Sequence, residues 1–600
     1  MIPRNKRVAI IGIDGGKPAI VDNLFKKGLL PNLAELKDKG TYSDLESIPT
    51  SQSPVAWSTI ITGLAPSKHG VFDYLIRNPK TMQLKFGMND ERFTSSGVEY
   101  VNLRKGKAIW EMLGEKGNVG ISLFVPMTFP ADDFNGFLFS GMGLPDVRGT
   151  QGVPTLYSNE PEIETKSDIQ KLIFNNNQAE TELVGVSDIK KKFILHIQKD
   201  SLIIKLNDSD DKIFLKEGQW SNWITLTFDD NGKMIDTLFR FKLLKFRKGI
   251  VRLYLSPIMY SPSQNFIPFS SPVDYGAELF ENTGNFKALS FESDVYGLKE
   301  KLIDEETWLE DMKYTFDKRI AAAKYSLTSK PWKFFVADFF SVDRAQHLFW
   351  RSIDKKNELY DESKDYDYVI DDAYVYTDEK IGELLKCFNE DDLVFVVSDH
   401  GFCSYRKNVE LNKILMDKGF LKLKDDKKSE NLNDIDWSKT KAYALGFGAI
   451  YINLEGRELK GIVKTEDYET LRREISEEIS GFSFNNEKVI NDVLSGEKIH
   501  SEGNLDEMPD LVPIYADGFR SGRASTLGLV SLNTDTVHSN LSKWSGDHIG
   551  PFDLSDNFGF LFSNQILNFA SSSLFDLSVT SLDYFGVEKS PSLKGKSLLE

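Results

Sequence analysis

At 600 residues the chain is longer than one hydrophobic core usually organises, about 250 to 300 residues, so two or three packed units are expected. Its composition, 40% hydrophobic with 12% aromatic and 27% charged residues, excludes wholesale disorder. Acidic side chains outnumber basic ones by 90 to 73, and the net charge of -17 disfavours nucleic acid as the main partner.

The basic N-terminus, Met1 to Arg7, is followed by an apolar run of only Val8 to Ile13, too short for a signal peptide. No stretch of about 18 uninterrupted apolar residues follows, which argues against a membrane span. The two cysteines, Cys387 and Cys403, offer neither a disulfide framework nor a Cys-rich zinc site. A cytoplasmic chain that does not engage membranes is expected.

Three short apolar runs share one pattern. Val8 to Ile13 leads into Asp14, Phe334 to Phe340 into Asp343, and Leu393 to Val397 into Asp399. Each has the length of a strand buried on both faces. Trp308, Met312, Phe316 and Ile320 mark a helix before the second run; Ile370, Tyr374, Ile381 and Leu385 mark one before the third. Strands alternating with helices predict an α/β fold with a doubly wound, mostly parallel sheet, whose sites lie beyond the C-terminal strand ends. All three aspartates fall there.

Between about Lys190 and Met259 the texture changes to short alternating runs, which predicts an antiparallel β subdomain inserted over residues 157–285. The expected organisation is a core at 1–156, the insertion at 157–285, core again at 286–425, an accessory α/β segment at 426–530 and a C-terminal core part at 531–600. Lys424 to Ser438 reads as a polar surface loop, and Tyr468, Leu471, Ile475 and Ile479 mark an amphipathic helix.

Histidine is scarce, and three of the seven accompany carboxylates. Asp343 and His347 are four apart, so on a helix they share one face. Asp399 adjoins His400, and His548 follows Asp547 far along the chain. With Asp14 these supply nitrogen and oxygen ligands for two zinc-like or manganese-like ions. His69 reads as a turn-shaping residue, while His196, His500 and His538 stand outside any motif. Trp57, Trp350 and Trp544 read as core. In Thr50 to Gly63 hydroxyl residues open a helix whose N-terminal amides favour an anion; Ser51 or Ser53 is either the nucleophile or merely the N-cap.

The motifs IGIDGG, SPVAWSTIITGLAPSKHGVFDY, DRAQHLFW, SDHGF and SGDH, in this order, resemble the alkaline phosphatase superfamily and its type I phosphodiesterase/nucleotide pyrophosphatase branch. The resemblance implies an alkaline-phosphatase-type sheet and a metal-dependent phosphohydrolase acting on a phosphomonoester or phosphodiester through a phosphoserine. A phosphomutase or phosphotransferase is the alternative, and a non-catalytic glycan binder the more distant one. It places Asp14, Ser53, Asp399 and His400 at one divalent ion, with Ser53 as nucleophile, and Asp343, His347 and His548 at the other, the ions being zinc or manganese. The expected partner is a small phosphorylated substrate.

Two departures matter. Where the nucleotide pyrophosphatases carry an asparagine that holds the phosphoryl oxygen, this chain has Tyr74, and the residue after Ser53 is Pro54, which lacks an N–H. Tyr74, Arg77 and Arg344 are therefore the candidate phosphate contacts. No Cys-x-Pro-x-Arg segment of a formylglycine sulfatase occurs.

Overall fold

The computed structural model describes residues 6–94, 97–162, 168–207, 211–247, 249–363, 365–500, 506–549 and 557–599. The chain divides into two compact units: residues 1–127, 134–136 and 331–600 form the first, and residues 128–133 and 137–330 the second.

In the first unit the apolar runs form strands β1 (Val8–Ile13), β2 (Thr41–Leu45), β3 (Gly120–Leu123), β4 (Phe334–Phe339) and β5 (Leu393–Val397). Further along the chain come β6 (Cys403–Val409), β7 (Gly518–Ser521), β8 (Gly546–Asp547) and β9 (Gly559–Ser563). Within this unit the central sheet runs β2-β9-β5-β1-β4-β3. β3, β4, β1 and β5 are parallel, and β9 pairs antiparallel to β5 and β2. Every residue of β1, β4 and β5 is buried, as their mostly apolar runs require, and in β4 this includes Asp338. The register aligns Gly12 of β1 with Asp338 of β4 and Val397 of β5, so the three strands end level with one another.

Helices α1 (Ser53–Thr62), α2 (Ser341–Phe349), α3 (Tyr368–Leu385) and α4 (Tyr468–Ile479) also belong to this unit. α4 buries Leu471, Ile475 and Ile479, the stripe visible in the sequence, in a core shared with the small antiparallel sheet of Ala442–Leu445, Ala449–Ile452, Ile490–Ser495 and Leu511–Tyr515. The stretch from Lys424 to Ser438 is more than a surface loop. Ile435 and Trp437 are buried in that same core, each such side chain contributing roughly 1.5–3 kcal/mol, so its charged beginning masks an anchored end.

The second unit contains the antiparallel strands. Gln178–Val184, Lys190–Gln198, Ser201–Leu206 and Lys212–Leu215 pair in sequence order. Along Ser201–Leu206 the inward residues are Leu202, Ile204 and Leu206, the period-2 pattern of a sheet with one covered face. The unit is wider than 157–285 because it also holds the 25-residue helix Glu305–Ser329, started by Asp304 accepting from the Thr307 amide at 2.9 Å. No described helix is long and apolar enough to cross a membrane.

Candidate metal centre and nucleophile

The level strand ends place three buried aspartates together. Asp14 closes β1, and its amide donates to the Phe339 carbonyl at 3.0 Å, tying that end to β4. Gly15 then turns with φ +72°, where a Cβ would stand 2.9 Å from the Asp343 Cβ, so glycine permits this close approach. Its amide donates to Asp399 Oδ1 at 3.3 Å and its carbonyl accepts from Gln346 at 2.6 Å, linking the turn to both other strand ends.

Asp14, Asp399 and His400 form one trio, each offering an atom within 4.8 Å of the others. His400 Nε2 lies 3.6 Å from Asp14 Oδ1 and 3.4 Å from Asp399 Oδ2. Ser53 Oγ donates to Asp14 Oδ1 at 3.2 Å and stands 3.3 Å from His400 Nε2. Trp57, one turn along α1 and hence on the same face, donates its indole N–H to Asp14 Oδ2 at 3.3 Å. Ser51 points elsewhere, donating to the Ile48 carbonyl at 2.8 Å.

Neither serine is the N-cap, which is Gln52. The amides of Val55 and Ala56 both donate to the Gln52 carbonyl, and Pro54 has none. The row of anion-binding amides expected from the sequence is thus largely used up.

Asp343, His347 and His548 form the second trio. The first two meet on α2, with His347 Nε2 3.3 Å from Asp343 Oδ1. His548 arrives from 200 residues away because β8 pairs with the start of β6, directly after the SDHGF motif, matching Asp547 to Cys403. The trios are contiguous: the rings of His400 and His548 stack with centroids 3.9 Å apart, and His347 lies 5.2 Å from His548.

The electrostatics of the two trios differ. Burial, reinforced by the carboxylates of Asp399 and Asp343, pushes Asp14 well above the ordinary carboxylate range, and burial followed by repulsion from Asp343 does the same to Asp399. Burial also acts on Asp343, but His347 and Arg344 outweigh it and hold that carboxyl below the usual range. Burial and the neighbouring His400 depress His548. Asp343 Oδ1 and Oδ2, Asp399 Oδ2 and His548 Nδ1 make no hydrogen bond among the described residues. Buried carboxylates that repel one another beside imidazole nitrogens form a mixed oxygen and nitrogen set that fits divalent cations.

Of the candidate phosphate contacts, two are beside the site. Arg344 Nη1 is 3.1 Å from Asp343 Oδ2, and the hydroxyl of the half-buried Tyr74 lies in hydrogen-bonding reach of Arg344. Arg77 is a correction. Its Nε and Nη2 donate to Glu458 Oε1, Nη1 to the Glu507 carbonyl, and its face stacks on Tyr451, so it is occupied as a buried structural cation.

The remaining histidines are not brought to the trios. His69 meets Thr59 Oγ1 at 3.1 Å and accepts from the Val71 amide at 3.2 Å, fixing the turn. His196 is half-buried on a strand of the second unit, His500 packs edge-on to Phe72, and His538 faces Glu410. Trp350 donates to Ser404 Oγ at 3.0 Å. Trp57 and Trp544 exceed the core role read for them: the first bonds Asp14, and the second stacks on His347 with centroids 3.5 Å apart. The helical step from Ser53 to Trp57 was a usable signal for the first.

The family model for type I phosphodiesterase / nucleotide pyrophosphatase matches residues 8–186 and 250–540. No curated protein sequence matches the chain significantly. Among solved structures it is similar to phosphonoacetate hydrolase from Sinorhizobium meliloti 1021 in complex with phosphonoformate, at 12% identity, 97% and 98% coverage of the two chains and a TM-score of 0.43. An inactive form of murine ectonucleotide pyrophosphatase / phosphodiesterase 5 in complex with AMP is similar at 10% identity, 99% and 97% coverage and 0.43. The human protein of that name gives 11%, 98% and 97%, and 0.43.

Proposed function

Because the chain belongs to the type I phosphodiesterase / nucleotide pyrophosphatase family, and is thus an enzyme of phosphoester hydrolysis, we propose that it cleaves its substrate with Ser53 as nucleophile between two divalent-ion sites. The observation that carries this reading is the position of Ser53 Oγ, which touches Asp14 and His400 of one trio while the other trio adjoins through the stacked histidines.

Asp14, Asp399 and His400 would hold one ion and Asp343, His347 and His548 the other. Such ions, when bound, lower the pKa of a hydroxyl or water and stabilise the attacking and leaving oxygens. Asp14 and His400 orient Ser53 Oγ; Trp57 fixes Asp14. The Oγ–P bond forms as the ester P–O bond breaks, which leaves phosphoserine and an alcohol, and water then displaces the serine to release phosphate or a monoester.

The substrate class follows from what surrounds the phosphoryl group. With the Val55 and Ala56 amides engaged and Pro54 lacking one, the Arg344 guanidinium, which pairs with Asp343 and is supported by Tyr74, supplies the counter-charge. A guanidinium favours the dianion of a monoester over the monoanion of a diester. A small phosphorylated metabolite is therefore the proposed substrate, in preference to a nucleotide pyrophosphate. The test compares kcat/KM for ATP, a dinucleotide, an aryl diester and several phosphomonoesters at one metal concentration. A preference for the nucleotides overturns the substrate class, and full activity of Ser53→Ala overturns the nucleophile.

A further inference from the structure

The accessory segment reaches the second trio through one side chain. Arg520 lies on β7, which pairs in parallel with β6, and its buried guanidinium donates to Asp547 Oδ2. The same oxygen accepts the Trp544 indole N–H at 3.0 Å. The other oxygen, Oδ1, accepts the amides of His548 at 2.9 Å and Ile549 at 3.2 Å. Asp547 is therefore a hub that holds a cation, an indole and the backbone presenting His548.

Trp544 carries that order to a second ligand. Its ring lies against His347 with centroids 3.5 Å apart and an interplanar angle of 24°, while His347 Nδ1 is held by the Gly546 carbonyl at 2.8 Å, leaving Nε2 toward Asp343. Arg520 is itself fixed between aromatic faces, 4.3 Å from the Phe447 centroid and 5.0 Å from that of Tyr405. Phe447 belongs to the accessory segment and Tyr405 to β6.

We propose that Arg520 is a positioning residue for the ion site of Asp343, His347 and His548: it locks Asp547, and Asp547 in turn fixes the indole covering His347 and the loop carrying His548. The inference rests on the two-ion reading above. A partner behind a metal ligand fixes the ligand's orientation, and its loss typically costs about 10–100-fold in metal affinity. An ion pair that only fastened β7 to the loop would change thermal stability without favouring one ion over the other.

The experiment titrates the metal-free, full-length protein with Co2+, followed by calorimetry and visible absorption. Wild type is compared with Arg520→Met, Arg520→Lys, Trp544→Phe and the double variant Arg520→Met/Asp547→Asn, and His347→Ala identifies which binding step belongs to this trio. Arg520→Met is expected to weaken that step by about 10–100-fold and to leave the other within about twofold, with Arg520→Lys recovering most of the loss. The double variant leaves no buried carboxylate unpaired, so it carries the test if the single variant fails to fold, and the same selective weakening is expected. Trp544→Phe keeps the stacking but loses the N–H and should fall between wild type and Arg520→Met. Wild type with two ions and substituted proteins with both steps unchanged, or both weakened together, overturns this inference alone. Wild type that takes up fewer than two ions overturns the two-ion reading and this inference with it.

Discussion

The trio beside Ser53 and the trio beside Arg344 meet at the stacked rings of His400 and His548, yet they are assembled on opposite electrostatic terms. In the first, two strand-end carboxylates, Asp14 and Asp399, are buried near the charge of Asp343, and both are pushed toward the protonated form. In the second, one carboxylate faces an imidazole one helical turn away and a guanidinium next to it, and it is held ionised. The first half demands a cation before it can carry its charges; the second is charge-compensated by the protein itself. Equal numbers of ligands therefore do not imply equal dependence on metal.

The largest expected effect tests whether the nucleophile belongs to the first half. Ser53→Ala should lower kcat by at least about 10³-fold, the scale seen when a covalent nucleophile is removed, while Ser51→Ala, whose hydroxyl bonds Ile48, should change it little. Steady-state kinetics on one chromogenic ester, with circular dichroism to confirm folding, decides this, and equal effects would move the nucleophile away from Asp14.

The second concerns the guanidinium that distinguishes the other half. Arg344→Lys keeps the charge but loses the planar fork, and should reduce kcat/KM for a phosphomonoester by up to about 10²-fold, and less for a diester. An identical loss on both substrates would show that Arg344 supports Asp343 and not the phosphoryl group.

Smaller, and more direct for the comparison, are the stabilities of the metal-free protein at pH 7. A carboxyl raised in the folded state is protonated more readily there than in the unfolded chain, so its ionisation destabilises the fold as pH rises; Asp14→Asn should relieve this and stabilise. A depressed carboxyl contributes stability above its unfolded pKa, which is lost as pH falls below that value; Asp343→Asn should therefore destabilise the metal-free protein. Urea unfolding of chelated protein measures both, and shifts of the same sign would remove the contrast.

Asp73 supplies the smallest effect and an internal control. It is buried like Asp14, but it accepts hydrogen bonds from the amides of Leu75 at 3.0 Å and Phe447 at 2.8 Å. Burial outweighs these and raises it to about 6. Stability should therefore decline as pH rises from about 4 to 6, through the interval between the unfolded and folded values, and Asp73→Asn should flatten that slope with or without metal. A slope that vanished on adding metal would assign it to Asp14 and Asp399 instead.

Local pattern was enough to set each of the three aspartates just beyond a strand, because a strand buried on both faces reads as a short, mostly apolar run and the polar residues that follow mark where it ends. It was enough for Asp343 and His347, because helical spacing is a property of the backbone alone. Their neighbouring carboxylates already offered His400 and His548 as ligands, and the family motifs chose Ser53 over Ser51 and sorted the ligands into two sites. What sequence could not determine was the use to which each cation and amide is put. Arg77 looked as good a phosphate contact as Arg344 until the tertiary structure placed Glu458 against it, far from either trio's ligands, and the amides of α1 looked free until the Gln52 carbonyl took two of them. Arg520 carried no signal at all. Its contact with Asp547 exists because β7 and β8 both pair with β6, bringing two distant segments to one strand, and such pairing depends on the packing of the whole unit and leaves no mark in the spacing of either segment.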